Sequence, residues 1–265
     1  MRSDVTFRYG PWAVVTGASS GIGEAIARDL SARGVHVVLC ARRKEKLDAL
    51  AAELSTTFGT KALAVEVDLS RDDFLPIIER ATASLDVGLL VNNAGFGDKT
   101  PFLSADIDLQ LRMLHTQCRA PLVLSHAFAK RLVARGRGGI LFTASTAAFQ
   151  GLPFASHYAA TKGYDLQLAE GLWYELLPHG VDVVALCPGP VDTEGPRRTG
   201  VDSSKVPIQI MDPETVAKAG LNALGRGPMV IPGVANRLLH ALVKVVPRWA
   251  ATAVSGRMIQ RVTHK

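Results

Sequence analysis

The chain has 265 residues, an apolar fraction of 48% and a formal net charge of +6. This length and composition suit one α/β domain with a full core, and the basic residues are too scattered to favour nucleic-acid binding. The amino terminus lacks the apolar core of a signal peptide, and no apolar run approaches the roughly 20 residues that span a bilayer, so we expect a soluble, cytoplasmic protein.

The three cysteines are Cys40, Cys118 and Cys187. They lie far apart and show neither a C-x-x-C pair nor the histidine spacing of a metal site. We therefore predict buried thiols in a reducing compartment and no bound metal.

Short β-branched runs alternate with longer helical patterns along the chain, which predicts parallel strands joined by right-handed helical crossovers. The strands are predicted at residues 12–16, 35–40, 62–67, 89–92, 139–143, 181–187 and 229–231. Helices are predicted at residues 22–33, 44–58, 72–85, 104–135, 156–177 and 213–224. We predict an α/β fold class, a single doubly wound, Rossmann-like catalytic domain over residues 1–265 with a seven-stranded parallel sheet. Its ligands should bind beyond the carboxyl ends of the strands.

A glycine-rich turn follows the first predicted strand and leads directly into a helix. Glycines there allow a tight bend and bring a pyrophosphate close to the free N–H groups and positive dipole of the helix. An ordinary turn is the alternative, because the spacing departs from the G-x-G-x-x-G form. The predicted cofactor contacts in this turn are Gly17, Ser19, Ser20, Gly21, Ile22 and Gly23.

The end of the second predicted strand indicates which dinucleotide is bound. An NAD-selective site has an acidic residue there, whereas this chain has Arg42 and Arg43, which suit a 2′-phosphate. We predict NADP(H), with one arginine sufficient for the contact; the alternative is that both begin a solvated helix. The adenine and ribose end is expected to be lined by Asp68 and Leu69 after the third strand and by Asn92, Ala94 and Gly95 after the fourth.

Tyr158 and Lys162 lie four residues apart within a predicted helix, so their side chains share a face. A neighbouring positive charge stabilises a phenolate, which would make Tyr158 a proton donor or acceptor near neutral pH. Taken alone, such a pair is more often part of a solvated helix face.

The motifs occur in one order along the chain: Thr16-Gly17-x-x-x-Gly21-x-Gly23, Asn92-Asn93-Ala94-Gly95, Ser145, Tyr158-x-x-x-Lys162 and Pro188-Gly189-Pro190-Val191-x-Thr193. Together they resemble the short-chain dehydrogenase/reductase family over about residues 12–231. The resemblance implies that Tyr158 is the general acid/base and that Lys162 tunes it and binds the nicotinamide ribose. It also implies that Ser145 holds the substrate oxygen, and that Pro188, Gly189, Val191 and Thr193 surround the nicotinamide.

One position departs from the family pattern. Where the family has an asparagine that helps to hold a water linking the lysine to solvent, this chain has Gln117. Glutamine keeps the amide but is one methylene longer, so we expect an altered proton relay or one served by a backbone carbonyl. An alignment shifted by one or two residues would place His115 or Thr116 there instead.

The sequence contains fewer features that indicate the substrate than features that indicate the cofactor. Phe96, Phe149, Leu152 and Phe154 are expected near the site, and residues 190–212 are long enough to form a lid loop. This favours a small apolar carbonyl or alcohol as substrate, although the aromatic residues could be ordinary packing. A 3-oxoacyl thioester reductase and a steroid or lipid alcohol dehydrogenase both remain open.

Residues 234–258 form a basic C-terminal helical extension that Pro247 divides into two halves. Such helices can bind membranes or acidic partners, but we favour a cover over the pocket or a subunit interface. The resemblance implies a homodimer or homotetramer, with helices 104–135 and 156–177 pairing across subunits.

The leading prediction is an NADP(H)-dependent oxidoreductase that interconverts a carbonyl and a secondary alcohol. The alternative is a catalytically weak dinucleotide-binding redox sensor or binding module, for which Gln117 would be a sign. The presence of Ser145, Tyr158 and Lys162 together favours the enzyme.

Overall fold

The computed structural model describes residues 2–194 and 210–263, and its centre is one parallel sheet. The strands are β1 (Trp12–Thr16), β2 (His36–Ala41), β3 (Ala62–Glu66), β4 (Val87–Asn92), β5 (Gly138–Thr143), β6 (Val181–Leu186) and β7 (Met229–Val230). Their order across the sheet is β3-β2-β1-β4-β5-β6-β7, and every pairing is parallel. The winding reverses between β1 and β4, which opens a crevice at their carboxyl ends.

Helices cover both faces of the sheet, as the uninterrupted apolar strands predict. They are α1 (Arg2–Tyr9), α2 (Gly21–Ala32), α3 (Lys44–Phe58), α4 (Phe74–Thr82), α5 (Ile107–Leu114), α6 (Ala120–Arg135), α7 (Ser156–Leu176), α8 (Pro213–Ala223), α9 (Val234–Val245) and α10 (Arg248–Thr263). The predicted doubly wound, seven-stranded Rossmann-like fold is confirmed.

Two apolar cores lie on opposite faces of the sheet. Ala13 and Val15 of β1 face the core formed with α2, α3 and α8, whereas Val14 faces the core formed with α4, α6 and α7. Strands β1, β4, β5 and β6 are buried along their whole length. Because four buried strands support it, the carboxyl edge of the sheet is a rigid platform for a site.

The predicted helix at 104–135 is wrong as one continuous element. Phe102–Ser104 forms a 3₁₀ turn, and α5 passes through a π-helical turn at His115–Arg119 before α6 begins. The extra residue of a π turn rotates the helix locally, and here it directs Gln117 and Cys118 into the core. The periodicity of apolar residues does not reveal such a turn, because apolar side chains continue on both sides of it.

Helix α1 was not predicted, because its sequence is short and mostly polar. It is held by tertiary contacts at the start of β6. The Tyr9 hydroxyl donates a hydrogen bond of 2.7 Å to Asp182, and the Arg8 guanidinium lies 2.6 Å from the same carboxylate. Asp182 is buried, so these two groups supply the partners that a buried carboxylate needs.

The structure also bears on the cysteines, on membrane spanning and on the predicted lid loop. Cys40, Cys118 and Cys187 are free and buried, as predicted. Among residues 2–194 and 210–263, no helix has both the length and the apolarity needed to cross a membrane. Residues 195–209, which make up most of the predicted lid loop at 190–212, lie outside the described residues.

Candidate active site

The glycine turn joins β1 to α2 at the switch point of the sheet. Gly17 and Gly21 have φ angles of +66° and +59°, a conformation in which side chains are strained. A Cβ atom at Gly17 would lie 2.8 Å from the Cα of Ala94, so the turn also needs glycine to pack against the end of β4. The Ser20 hydroxyl does not cap α2, which leaves the first N–H groups of that helix available to a pyrophosphate. This cradle fits the predicted dinucleotide.

Thr16 and Asn93 fasten the glycine turn to the end of β4. The Thr16 hydroxyl accepts hydrogen bonds from the backbone N–H groups of Asn93 and Ala94, at 2.9 and 3.1 Å. The Asn93 amide donates to the Thr16 carbonyl at 2.9 Å. Asn93 was not among the predicted site residues, although it belongs to the quoted motif. The predicted residue Asn92 instead donates to Ser125 of α6 at 2.9 Å, so its side chain points away from the turn.

The two arginines after β2 differ in their surroundings. Arg43 donates hydrogen bonds to the hydroxyls of Ser19 and Ser20, and it pairs with Glu194 at 2.6 Å. Hydrogen bonds from Lys46 and Arg43 lower the pKa of Glu194 to about 2. Arg42 is exposed and has no hydrogen bond or ion pair within the described ranges. Arg43 therefore supports the turn, and Arg42 is the available cation.

Asp68 and Leu69 follow β3 on the same edge of the sheet. Leu69 is buried, and one Asp68 oxygen accepts hydrogen bonds from the N–H and hydroxyl groups of Ser70. Burial opposes ionisation of Asp68, but these bonds and the charges of Arg42 and Arg71 hold its pKa below the ordinary value. Asp68 is therefore an ionised hydrogen-bond acceptor close to Arg42.

Ser145 lies two residues beyond β5, at the start of the 3₁₀ turn Thr146–Phe149. Its hydroxyl accepts a hydrogen bond from the N–H of Ala147 at 3.1 Å and keeps its own proton for another acceptor. The N–H of Thr146 donates to the carbonyl of Pro188 at 2.9 Å. This bond brings the predicted Pro188-Gly189 turn beside Ser145.

Tyr158 lies in the first turn of α7, which packs against the Ser145 turn. Its half-buried ring faces Gly97, where a Cβ atom would lie 3.6 Å from the ring. A narrow cleft opens beside it, lined by Asp98, Thr100, Phe102, Gln110, Phe154 and His157. Of the four predicted apolar substrate residues, only Phe154 is among these lining residues, whereas Phe149 packs against His240 with ring centroids 3.9 Å apart.

Lys162 is fixed at the centre of the site. Its ammonium donates hydrogen bonds to the carbonyl of Thr143, at 2.7 Å, and to the carboxylate of Asp165, at 3.0 Å. Lys162 is 5% exposed and Asp165 is 3% exposed. Thr143 is the last residue of β5, so the ammonium is tied to the strand that leads to Ser145.

Asp165 was missed by sequence reasoning, since a carboxylate three residues after a lysine on a helix is commonly a solvated pair. Burial by itself would lower the pKa of Lys162, but the charge of Asp165 and the nearby Tyr158 leave that pKa above its ordinary value. Burial raises the pKa of Asp165 to about 6, although Lys162 opposes this shift. At neutral pH the pair is therefore an ammonium and a carboxylate.

Gln117 connects the turn after β4 to α7. Its amide oxygen accepts from the N–H of Phe96 at 2.6 Å, and its amide nitrogen donates to the Thr161 hydroxyl at 2.7 Å. Thr161 in turn donates to the carbonyl of Tyr158 at 2.8 Å. Gln117 is fully buried, so its amide positions the backbone around Tyr158 and has no exposure to solvent.

The segment after β6 lies between the glycine turn and α9. Val191 and Met211 pair in parallel, which joins the two ends of the predicted lid loop. A Cβ atom on Gly21 would lie 2.9 Å from the methyl carbon of Thr193, so Thr193 packs directly against the glycine turn. Gly189 packs against Asn236 of α9. The predicted residues Gly189, Val191 and Thr193 therefore lie between the glycine turn and the C-terminal helices.

Residues 11–202 match the family model described as short chain dehydrogenase. The chain belongs to the short-chain dehydrogenase family. The resemblance inferred from the ordered motifs is thereby confirmed, and the chain is an oxidoreductase of this family.

Relatives with known activities span most of the chain. It is 32% identical to a 7beta-hydroxysteroid dehydrogenase of Clostridium sardiniense, over 87% of this chain and 88% of that protein. It is 33% identical to a very-long-chain 3-oxoacyl-CoA reductase of Phaeosphaeria nodorum, over 82% of this chain and 64% of that protein. The solved structure of a short-chain dehydrogenase from Sphingobium yanoikuyae in complex with NADPH is 32% identical, with a TM-score of 0.80 over 90% of this chain and 97% of that one.

Proposed function

We propose that the protein is an NADP(H)-dependent oxidoreductase that interconverts a carbonyl and a secondary alcohol on an apolar small molecule. The observation that carries this proposal is the position of Tyr158 in a cleft, one helical turn before a buried ammonium that is tied to β5. Tyr158 acts as the general acid/base, and Ser145 holds the substrate oxygen. Ser145 directly precedes a 3₁₀ turn and Tyr158 lies in the first turn of α7. Both are at the carboxyl edge of the sheet, where ligands of such folds bind.

The chain's own residues provide position and a proton. In the reductive direction the Ser145 hydroxyl and the Tyr158 phenol both donate hydrogen bonds to the carbonyl oxygen, and Tyr158 then transfers its proton to that oxygen. Lys162 stabilises the phenolate that remains, because its ammonium is fixed and buried. When bound, the nicotinamide supplies hydride to carbon in reduction and accepts it in oxidation. General acid catalysis of this kind contributes about 10²- to 10⁴-fold.

The preference for NADP(H) rests on the residues after β2. The two residues that follow that strand are arginines and not acids, and Arg42 is exposed without a hydrogen bond or ion pair within the described ranges. A guanidinium there attracts the 2′-phosphate through charge-assisted hydrogen bonds. The relative from Sphingobium yanoikuyae, which is in complex with NADPH, supports the same choice.

The substrate class rests on the relatives, and two aromatic residues among the polar ones of the cleft are compatible with it. Phe102 and Phe154 give the cleft beside Tyr158 an apolar part. The relatives named above are a hydroxysteroid dehydrogenase and a reductase of very-long-chain 3-oxoacyl-CoA, and both names imply large apolar substrates. We therefore propose a ketosteroid or a 3-oxoacyl thioester as the substrate class.

A turnover screen tests this function. The purified protein is assayed for oxidation of NADPH and of NADH with ketosteroids, 3-oxoacyl thioesters and small polar ketones. We expect turnover with an apolar carbonyl and a higher kcat/KM with NADPH. Binding of NADPH without turnover on any carbonyl would instead support the redox sensor or binding module, for which Gln117 is the motivating departure.

We also infer that the protein forms a homodimer. The stretch that contains the 3₁₀ turn and α5 exposes Phe102, Leu103, Ile107 and Leu111, so it presents apolar side chains to a second copy. Light scattering coupled to gel filtration measures the mass directly. A monomeric mass across the micromolar range would contradict the inference.

A further inference from the structure

Helix α9 already uses one side to pack on the site. Asn236 is buried, and His240 and Val243 follow it at helical spacing as half-buried residues. His240 stacks on Phe149 of the Ser145 turn, and Asn236 packs against Gly189. This side of α9 therefore packs against the Ser145 turn and the turn after β6.

The opposite side of α9 is apolar and faces outward. Val234, Leu238, Leu242 and Val245 recur at spacings of four, four and three residues, which forms one stripe along a helix. Leu238 is 67% exposed and Val245 is 79% exposed. Trp249 continues the surface at the start of α10 and is 77% exposed. Such contiguous apolar exposure marks an interaction site.

The charge of this region is entirely of one sign. Residues 215–265 contain eight lysine and arginine residues and no aspartate or glutamate. The other 214 residues contain the remaining 22 basic and all 24 acidic residues, a net charge of −2. Arg237 and Lys244 border the stripe on α9, and Arg248 adjoins Trp249. The C-terminal segment therefore accounts for the positive charge of the whole chain.

The apolar stripe and the positive charge together discriminate between possible binding partners. A second copy meeting this face would bring two strongly basic segments together, which is repulsive. A nucleic acid would match the charge but would leave the leucines and valines uncovered. We propose that α9 and the start of α10 dock the protein on the surface of an anionic phospholipid bilayer. The helices would lie in the interface with the apolar stripe among the acyl chains and the basic residues at the head groups.

A cavity beside this surface shares one lining residue, Phe154, with the cleft at Tyr158. This cavity of about 560 Å³ lies against α10 and is lined by Pro153, Phe154, Trp249 and Arg257, among others. Phe154 also lines the cleft beside Tyr158. In the proposed arrangement an apolar substrate dissolved in the bilayer would pass this cavity on its way to Tyr158. This path rests on the proposed function, whereas the docking itself does not.

Vesicle flotation tests the docking with the full chain. The protein is mixed with vesicles of phosphatidylcholine, with or without phosphatidylglycerol, and the floated fraction and the tryptophan emission are measured. We expect co-flotation with the anionic vesicles and a blue shift that disappears in Trp249→Phe. The double variant Leu238→Ser/Leu242→Ser should bind these vesicles at least about ten-fold more weakly, because two exposed apolar side chains no longer reach the acyl chains.

The matched control is Tyr174→Ser/Leu177→Ser, which removes two exposed apolar side chains at the far end of α7. It should bind as the unchanged protein does. No flotation with anionic vesicles, or an equal loss in both double variants, would overturn the proposal. A change of oligomeric mass in Leu238→Ser/Leu242→Ser without a change in vesicle binding would assign the stripe to a second copy. Turnover in detergent-free buffer reports on the proposed function separately.

Discussion

The ammonium of Lys162 lies 3.0 Å from the Asp165 carboxylate, and both side chains are buried in α7 against the end of β5. Four other titratable groups affect the pair or feel its charge, namely Tyr158, Tyr164, Cys118 and Cys187. Asp165 carries the only carboxyl group among these residues. Its charge therefore decides how firmly Lys162 keeps its proton.

Asp165→Asn should move the alkaline limb of the pH–rate profile to lower pH. Without the carboxylate, burial lowers the pKa of Lys162 and only the smaller influences of Tyr158 and Cys118 oppose it, so the ammonium is lost sooner as the pH rises. We expect a displacement of about one to three pH units, measured as kcat against pH in the reductive direction.

Asp182→Asn is the control for this experiment, since Asp182 is an equally buried carboxylate that contacts α1 instead of Lys162. That variant should unfold more easily and keep the original pH profile. An unchanged alkaline limb in Asp165→Asn would show that Asp165 has only a structural role.

Arg42→Ala should raise the KM for NADPH by about 10- to 100-fold and leave the KM for NADH nearly unchanged, because one charge-assisted contact to the 2′-phosphate is removed. Arg43→Ala is the comparison. Arg43 supports Ser19 and Ser20, so its loss should weaken both cofactors together. Equal effects of Arg42→Ala on the two cofactors would refute the assignment.

Gln117→Asn should lower the free energy of unfolding by about 1–3 kcal/mol, because the shorter side chain cannot reach both Phe96 and Thr161 and one buried polar group loses its partner. Urea unfolding measures this loss. Gln110→Asn, at a half-buried position that contacts Asp98, should cost clearly less. Equal stability of the two variants would contradict the bridging role of Gln117.

Tyr9→Phe should lower the free energy of unfolding by about 1–3 kcal/mol, because the buried Asp182 carboxylate loses one hydrogen bond. Turnover by the folded variant should be unchanged, since this contact lies at the opposite edge of the sheet from Tyr158. Tyr174→Phe, at an exposed position, serves as the control in the same thermal melts. A melting temperature equal to that of the unchanged protein would show that α1 is not anchored through Tyr9.

The fold could be predicted from the sequence because the signals that specify it are local. Apolar strand runs and the glycine turn each depend on neighbouring residues, and all seven strands occur within two residues of their predicted bounds. Helix α1 escaped prediction because its place depends on Asp182, about 170 positions away. The π-helical turn escaped because it changes the direction of Gln117 without changing the apolar pattern.

Residue type and spacing were enough to select Tyr158 and Lys162 as candidate catalytic residues. Asp165 was not selected, because its role depends on burial against β5, which is a tertiary property. Tertiary packing also decides which of Asn92 and Asn93 directs its side chain to the glycine turn. Adjacent residues at a strand end point in opposite directions, and only packing against Ser125 and Thr16 shows which one faces the turn.

In the proposed mechanism Tyr158 transfers the proton, and the cofactor is held independently of it. This mechanism is tested most directly by comparing Tyr158→Phe with the unchanged protein in two measurements, NADPH affinity and steady-state carbonyl reduction. We expect an unchanged Kd for NADPH and a fall in kcat of about 10²-fold or more. Carbonyl reduction at the original rate by Tyr158→Phe would contradict the mechanism.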